Sequence, residues 1–139
     1  MTKFLLDTST VSAAMWKEPD RGVLAKLNEH GGECVICAPV WHELHYGVSR
    51  LPRGKRRSVL EAFLAEVVHP TLPILDYDER AATWHAEERA RLEKAGKQSS
   101  VVEGQIAAIA VTNGLPVVTA NVDDFAAFKG LVVHNWVGG

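Results

Sequence analysis

Short apolar runs alternate with longer stretches of helical periodicity along the whole chain. Phe4 to Leu6, Glu33 to Ala38, Leu115 to Thr119 and Leu131 to Val133 are too short for helices, and their apolar or β-branched residues predict buried strands. Thr71 to Leu75 holds Pro73, which removes a ladder donor, so it reads as a short edge strand. Between these runs, helices are predicted over Val11 to Met15, Asp20 to His30, Val40 to Leu51, a stretch through Leu60, Phe63, Leu64 and Val67, Glu79 to Ala95, Val101 to Thr112, and Phe125 to Phe128. Gly31-Gly32, Gly96 and Asn113-Gly114 stop three of them, and Pro39 suits the start of another. Strands alternating with helices predict an α/β fold whose mostly parallel sheet is covered on both faces, with residues 1 to 139 as one domain.

This layout gives the acidic residues their interest. Asp7 leaves the first strand and is followed at once by Thr8, Ser9 and Thr10. Thr119, Ala120, Asn121, Val122, Asp123 and Asp124 leave the strongest apolar strand of the second half in the same way. In open α/β sheets, ligands sit outside the carboxyl ends of the strands. Asp7 has a second reading as a helix cap. Glu43, in WHELHYG, and Glu103, in VVEGQIAAIAV, fall near helix starts, where the helix dipole favours an acid for structural reasons alone. Asp78 reads as a cap for the helix after it.

In a parallel sheet these acids can share one rim. Clustered carboxylates repel, and the cluster is stable only if protonated, hydrogen-bonded or bridged by cations. Oxygen donors without a matching His or Cys set favour Mg2+ or Mn2+ over Zn2+, and the chemistry implied is metal-assisted phosphodiester cleavage. His42 and His45 flank Glu43 as further acid–base candidates.

Composition narrows the picture in other ways. With 15 Lys and Arg against 17 Asp and Glu, the net charge of −2 gives no global attraction to nucleic acid, so any such contact must come from a local patch. Arg50 to Arg57 is the one basic run: a solvated helix entrance, or a phosphate-binding patch containing Arg53 and Arg56. Cys34 and Cys37 lie inside a strand, without zinc partners at a matching spacing, and read as core thiols. No stretch resembles a signal peptide or a membrane span, which leads to the expectation of a cytoplasmic protein. Trp41, Trp84 and Trp136 read as core or dimer contacts, and Val59, Phe63 and Leu64 as part of an apolar groove for a partner helix or as internal packing.

LLDTS, WHELHYG with the Leu-Pro-x-Gly-basic run at Leu51 to Arg57, EGQIAAIA and VVTANVDDF, in this order over nearly the whole chain, resemble a PIN-domain ribonuclease of the VapC or FitB type. The resemblance implies a three-layer α/β/α nuclease that dimerises, a toxin of a two-gene toxin–antitoxin system blocked by a cognate, DNA-binding antitoxin. It implies a Mg2+ site, with Mn2+ as a substitute, at Asp7, Glu43, Glu103 and Asp124. Asp123 is the reserve for the fourth acid, because related sequences place that acid at either Asn121 or Asp124. Thr8 and Ser9 match the small polar pair after the first acid and Thr119 the one after the last main strand; with Asn121 and with Arg53 and Arg56 of the basic run, they are the expected substrate-side residues. Glu103 stands where the family usually has Asp, a departure that points to weaker activity. The rival readings are a metal-dependent DNase and a PIN-fold protein that acts only through antitoxin and DNA binding.

Overall fold

The computed structural model describes residues 1–139. Five strands, β1 (Phe4–Leu6), β2 (Cys34–Cys37), β3 (Ile74–Leu75), β4 (Val117–Val118) and β5 (Val133–His134), form one all-parallel sheet in the order β3-β2-β1-β4-β5. The helices are α1 (Thr8–Met15), α2 (Arg21–Glu29), α3 (Ala38–Ser49), α4 (Lys55–Phe63), α5 (His69–Thr71), α6 (Glu79–Lys94), α7 (Val101–Thr112) and α8 (Val122–Phe125). None is long and apolar enough to cross a membrane. Pro73 sits just before β3, which is an edge strand as its sequence requires.

Topology creates the site. From β1 the chain moves outward to β2 and β3 on one side, then builds β4 and β5 on the other. The direction of progression therefore reverses between β1 and β4, the place where open parallel sheets have a crevice at their carboxyl ends. Leu5 pairs with Val117 and Leu6 with Val118, and the ladder continues through Asp7 N–H to Val118 C=O at 2.9 Å. This register sets Asp7 and Thr119 next to each other across the switch point.

The sheet is held by continuous apolar burial. Leu5, Leu6, Ile36, Cys37, Val117 and Val118 are fully enclosed, as are Ile106, Ala107, Ala108, Ile109 and Ala110 of α7. Small side chains on α7 let it lie close to its neighbours, which is what the Ala-rich sequence predicts. Both cysteines are free and buried; burial pushes the Cys34 thiol up to about 11 and Cys37 to about 12, so both are inert core thiols. Trp136 is buried and Trp41 and Trp84 pack against the core, in accord with the core reading of all three.

Several element bounds differ from their sequence expectation. Helix α1 begins at Thr8, not Val11, because the N–H groups of Thr10 and Val11 turn straight back to Asp7 C=O and the Thr10 hydroxyl bonds Val118 C=O at 2.8 Å. The last helix occupies Val122–Phe125 rather than Phe125 to Phe128; the two phenylalanines are buried on either side of a turn, a pattern that mimics helical spacing. The stretch through Val67 is not one helix. A π turn, Leu64–Val68, separates α4 from α5, immediately before Pro70, which has no N–H and crowds the carbonyl four residues back.

Candidate active site

Asp7 occupies the N-cap position of α1, yet its carboxylate accepts no bond from that helix's N–H groups. It is 5% exposed, and its Oδ2 accepts from Ser9 Oγ at 3.0 Å and from Thr119 Oγ1 at 2.8 Å. Those hydroxyls accept in turn from the backbone N–H groups of Ala120 and Asn121, each at 2.9 Å. The loop after β4 is thereby tied to the first acid through two side chains, and the capping reading of Asp7 is ruled out. Ser9 and Thr119 act here as orienting groups for Asp7.

Glu43 comes from the second turn of α3. Thr8 Oγ1 donates to Glu43 Oε1 at 2.6 Å, so the residue after Asp7 holds the second acid. Asp7 and Glu43 also share a neighbour: burial is the first cause of the raised Cys37 pKa, and the negative fields of both acids add to it. Both acids therefore face the carboxyl end of the sheet beside β2.

The other half of the rim is built differently. Ser100 caps α7 by accepting from Glu103 N–H at 2.9 Å, which fixes Glu103 in the first turn. Burial pushes its carboxyl above the ordinary range, followed by the negative charge of Asp124 and, more weakly, of Asp7, while the bond with Ser100 acts in the opposite direction. Glu103, Asp123 and Asp124 line an open cavity of about 620 Å3 with Lys97, Gln98, Ser99 and Ser100. Asp123 and Asp124 are both exposed, but Asp124 is the one whose charge acts on Glu103. Asn121 is exposed and is anchored through its backbone.

No ion pair of the molecule reaches Asp7, Glu43, Glu103, Asp123 or Asp124. An all-oxygen donor set whose acids are engaged in no ion pair suits a hard divalent cation. The side chains ring the crevice without closing into a set of three ready to hold one. Arg56 lies on the Glu43 side and donates to Met15 C=O at 3.2 Å; Arg53 is exposed in the turn before α4. His42 and His45 are exposed, His42 stacking over Tyr46 and His45 meeting Trp41 edge-on.

Two supporting contacts escape sequence reasoning. Gly104 follows Glu103 because a Cβ there would collide with the His85 ring, and His85 is itself buried and bonded through Nδ1 to Tyr77 at 3.1 Å. Glu88, buried on α6, accepts from Arg91 Nε and Nη2 at 2.6 and 2.8 Å and from Lys129 N–H at 2.6 Å. Arg91 also donates to Ala127 C=O at 3.0 Å. This clamp ties α6 to the turn that follows α8 and its two acids. The only trace in the sequence is an ordinary Glu–Arg pair at i, i+3.

The PIN domain family matches residues 4–131. A VapC ribonuclease, Y4jK, of Sinorhizobium fredii is 33% identical over 95% of this chain and 96% of its own length. The tRNA(fMet)-specific endonuclease VapC of Shigella flexneri is 31% identical over 98% of the chain and 99% of its own. The crystal structure of DNA-bound VapBC from Salmonella typhimurium superposes with a TM-score of 0.87 at 29% identity, covering 98% of this chain and 99% of that one.

Proposed function

This chain belongs to the PIN-domain family, and on that footing we propose that it is a divalent-metal-dependent endoribonuclease, the toxin of a toxin–antitoxin pair. The observation that carries the reading is the crevice at the switch point: carboxylates from the end of β1 and from α3, α7 and α8 line one rim, served by hydroxyl donors and tied up in no ion pair. Asp7, Glu43, Glu103 and Asp124 are the residues to hold Mg2+ or Mn2+. A cation held by these residues would supply Lewis-acid chemistry, lowering the pKa of a water and stabilising charge on the phosphate.

The chain's own groups do the positioning. Ser9 and Thr119 fix the direction of the Asp7 carboxylate, and Thr8 fixes Glu43 against the same edge. Burial and the charge of Asp124 raise the Glu103 carboxyl, so a cation brought between the two acids would relieve their repulsion. Arg56 supplies a cation for a substrate phosphate on the Glu43 side. Relatives named as ribonuclease and as tRNA endonuclease support RNA as the substrate.

The partner side of the reading rests on a second groove. Leu24, Leu27, Phe63, Val67 and Leu72 line an apolar cavity of about 370 Å3 between α2 and the π turn, with Leu24 and Val67 nearly half exposed. It suits the apolar face of an antitoxin helix. Of the three residues that mark this groove in the sequence, only Phe63 lines it; Leu64 is core, and Val59 is exposed without being part of the lining. A DNA-binding antitoxin and a second copy of this chain complete the proposed assembly.

The test uses purified, antitoxin-free protein on total cellular RNA with Mg2+, Mn2+ or EDTA, beside Asp7→Ala. Discrete metal-dependent fragments are expected, reduced by more than about a hundredfold in the variant, since even outer-shell changes at metal sites cost 10–100-fold. Identical patterns from both proteins would mean a contaminating nuclease and leave the non-catalytic reading in its place.

A further inference from the structure

The active-site rim has a second cleft that the acids alone do not explain. It lies between α1, α3 and α4, has a volume of about 290 Å3, and is lined by Met15, Trp16, Leu51, Arg56 and Leu60, with Glu43 on its wall. Trp16, in the turn after α1, is 50% exposed. An indole is the side chain with most to gain from contact, and here one face of the cleft leaves it half in water.

Arg56 stands beside it. Its guanidinium is tethered to the carbonyl of Met15, the residue before Trp16, at 3.2 Å and has no carboxylate within ion-pair distance. The next residue, Arg57, shows the contrast: it is spent on Leu51 C=O at 3.2 Å and on Glu61 at 3.7 Å. Arg56 is thus a positive group held in place without being neutralised, next to an indole, at the edge of a carboxylate rim. Unpaired RNA bases are recognised by stacking on aromatic rings and guanidinium planes, while their phosphates seek cations.

We propose that the Trp16–Arg56 cleft is a nucleobase subsite, seating one unpaired base of single-stranded RNA beside the phosphodiester presented to the acids. The placement next to the reacting bond rests on the nuclease reading; the base-binding itself does not. Glu43 joins the two sites physically, since it lines this cleft and is bonded through Thr8 to the strand end that carries Asp7. A protein helix is the poorer fit, because the groove beside the π turn is lined wholly by uncharged residues, whereas this cleft mixes apolar wall with an unneutralised cation and an acid.

The test measures binding of short single-stranded RNA, without divalent metal, to Asp7→Asn and to the same protein carrying Trp16→Ala or Trp16→Phe, using oligonucleotides in which one base at a time is removed. Stacking of a base is worth about 1–3 kcal/mol, so Trp16→Ala is expected to weaken binding by roughly five- to hundredfold and Trp16→Phe by much less. One abasic position should carry the same penalty in the protein that keeps Trp16 and none in Trp16→Ala. A general loss of structure would abolish binding of intact and abasic oligonucleotides alike, and unchanged thermal melting excludes it directly. Equal affinities with and without the Trp16→Ala substitution, or an abasic penalty that survives it, would overturn the subsite, whatever the variant does to a protein partner. Single-base-dependent binding, with wild type cleaving no RNA in Mg2+ or Mn2+, would instead retain the subsite and remove the nuclease reading.

Discussion

The two halves of the acidic rim are held by different means. Around Asp7 and Glu43, every anchoring group is a neutral hydroxyl from Thr8, Ser9 or Thr119, supplied from the same strand ends, and those of Ser9 and Thr119 are bonded onward to backbone. Around Glu103 and Asp124 the supply is smaller: Ser100 alone serves Glu103, capping its backbone N–H and partly offsetting the burial and the charge of Asp124 that push its carboxyl up. The first half is preorganised without metal. The second half holds mutual repulsion that protonation or a cation relieves. It is kept in place from outside by the Glu88–Arg91 clamp on the turn after α8.

The largest effect that would break this contrast is on catalysis. Thr119→Val keeps the shape of the side chain but removes a donor to Asp7 and the acceptor for Asn121 N–H. It is expected to lower metal-dependent RNA cleavage by about 10–100-fold, in kcat more than KM, as outer-shell changes at metal sites do. Unchanged kcat would mean that Asp7 needs no orientation from β4.

Glu88→Gln addresses the clamp and acts on stability. Losing a buried charged acceptor of three bonds should cost about 2 kcal/mol at neutral pH, measured by urea unfolding. The bond with Arg91 holds the Glu88 carboxyl below its ordinary value of 4.5, so the folded protein binds this proton less readily than the unfolded chain. The stabilisation is therefore fully present above pH 4.5 and is lost as pH falls through the depressed folded value. The difference between wild type and Glu88→Gln should shrink in the same window, and one that stayed constant to low pH would place the effect in packing alone.

Glu103→Gln should have the smallest effect, and the opposite sign. The Glu103 carboxyl is raised above 4.5, so its ionised form destabilises the fold as pH rises above that value. Neutralising it should stabilise the metal-free protein at neutral pH by about 0.5 kcal/mol, modest because the group is partly exposed, and the gain should fade below pH 4.5. Millimolar Mg2+ should reverse the sign by stabilising wild type alone. A Tm difference indifferent to Mg2+ would detach Glu103 from the metal.

Much of this molecule was legible in one dimension. Strand–helix alternation determined a parallel α/β sheet, and the strand ends located Asp7 and Thr119, because apolar runs that stop at polar residues mark where a buried strand surfaces. Glu43 and Glu103 were visible as acids at the start of apolar helices. The sequence could not separate a cap from a ligand at Asp7, since both need an acid after a strand; only the third dimension sends Ser9 and Thr119 to one carboxylate oxygen. Nor could it distinguish Asp124 from Asp123, adjacent residues whose difference lies in which one's charge reaches Glu103. Gly104 against His85, Glu88 against Lys129 and Arg56 beside Trp16 join residues far apart in the chain or set them across one cleft. Local periodicity records which face of an element is buried, and carries no information about which distant residue that face will meet. That choice was made by the reversal of strand order between β1 and β4, which opens the crevice and decides which residues surround it.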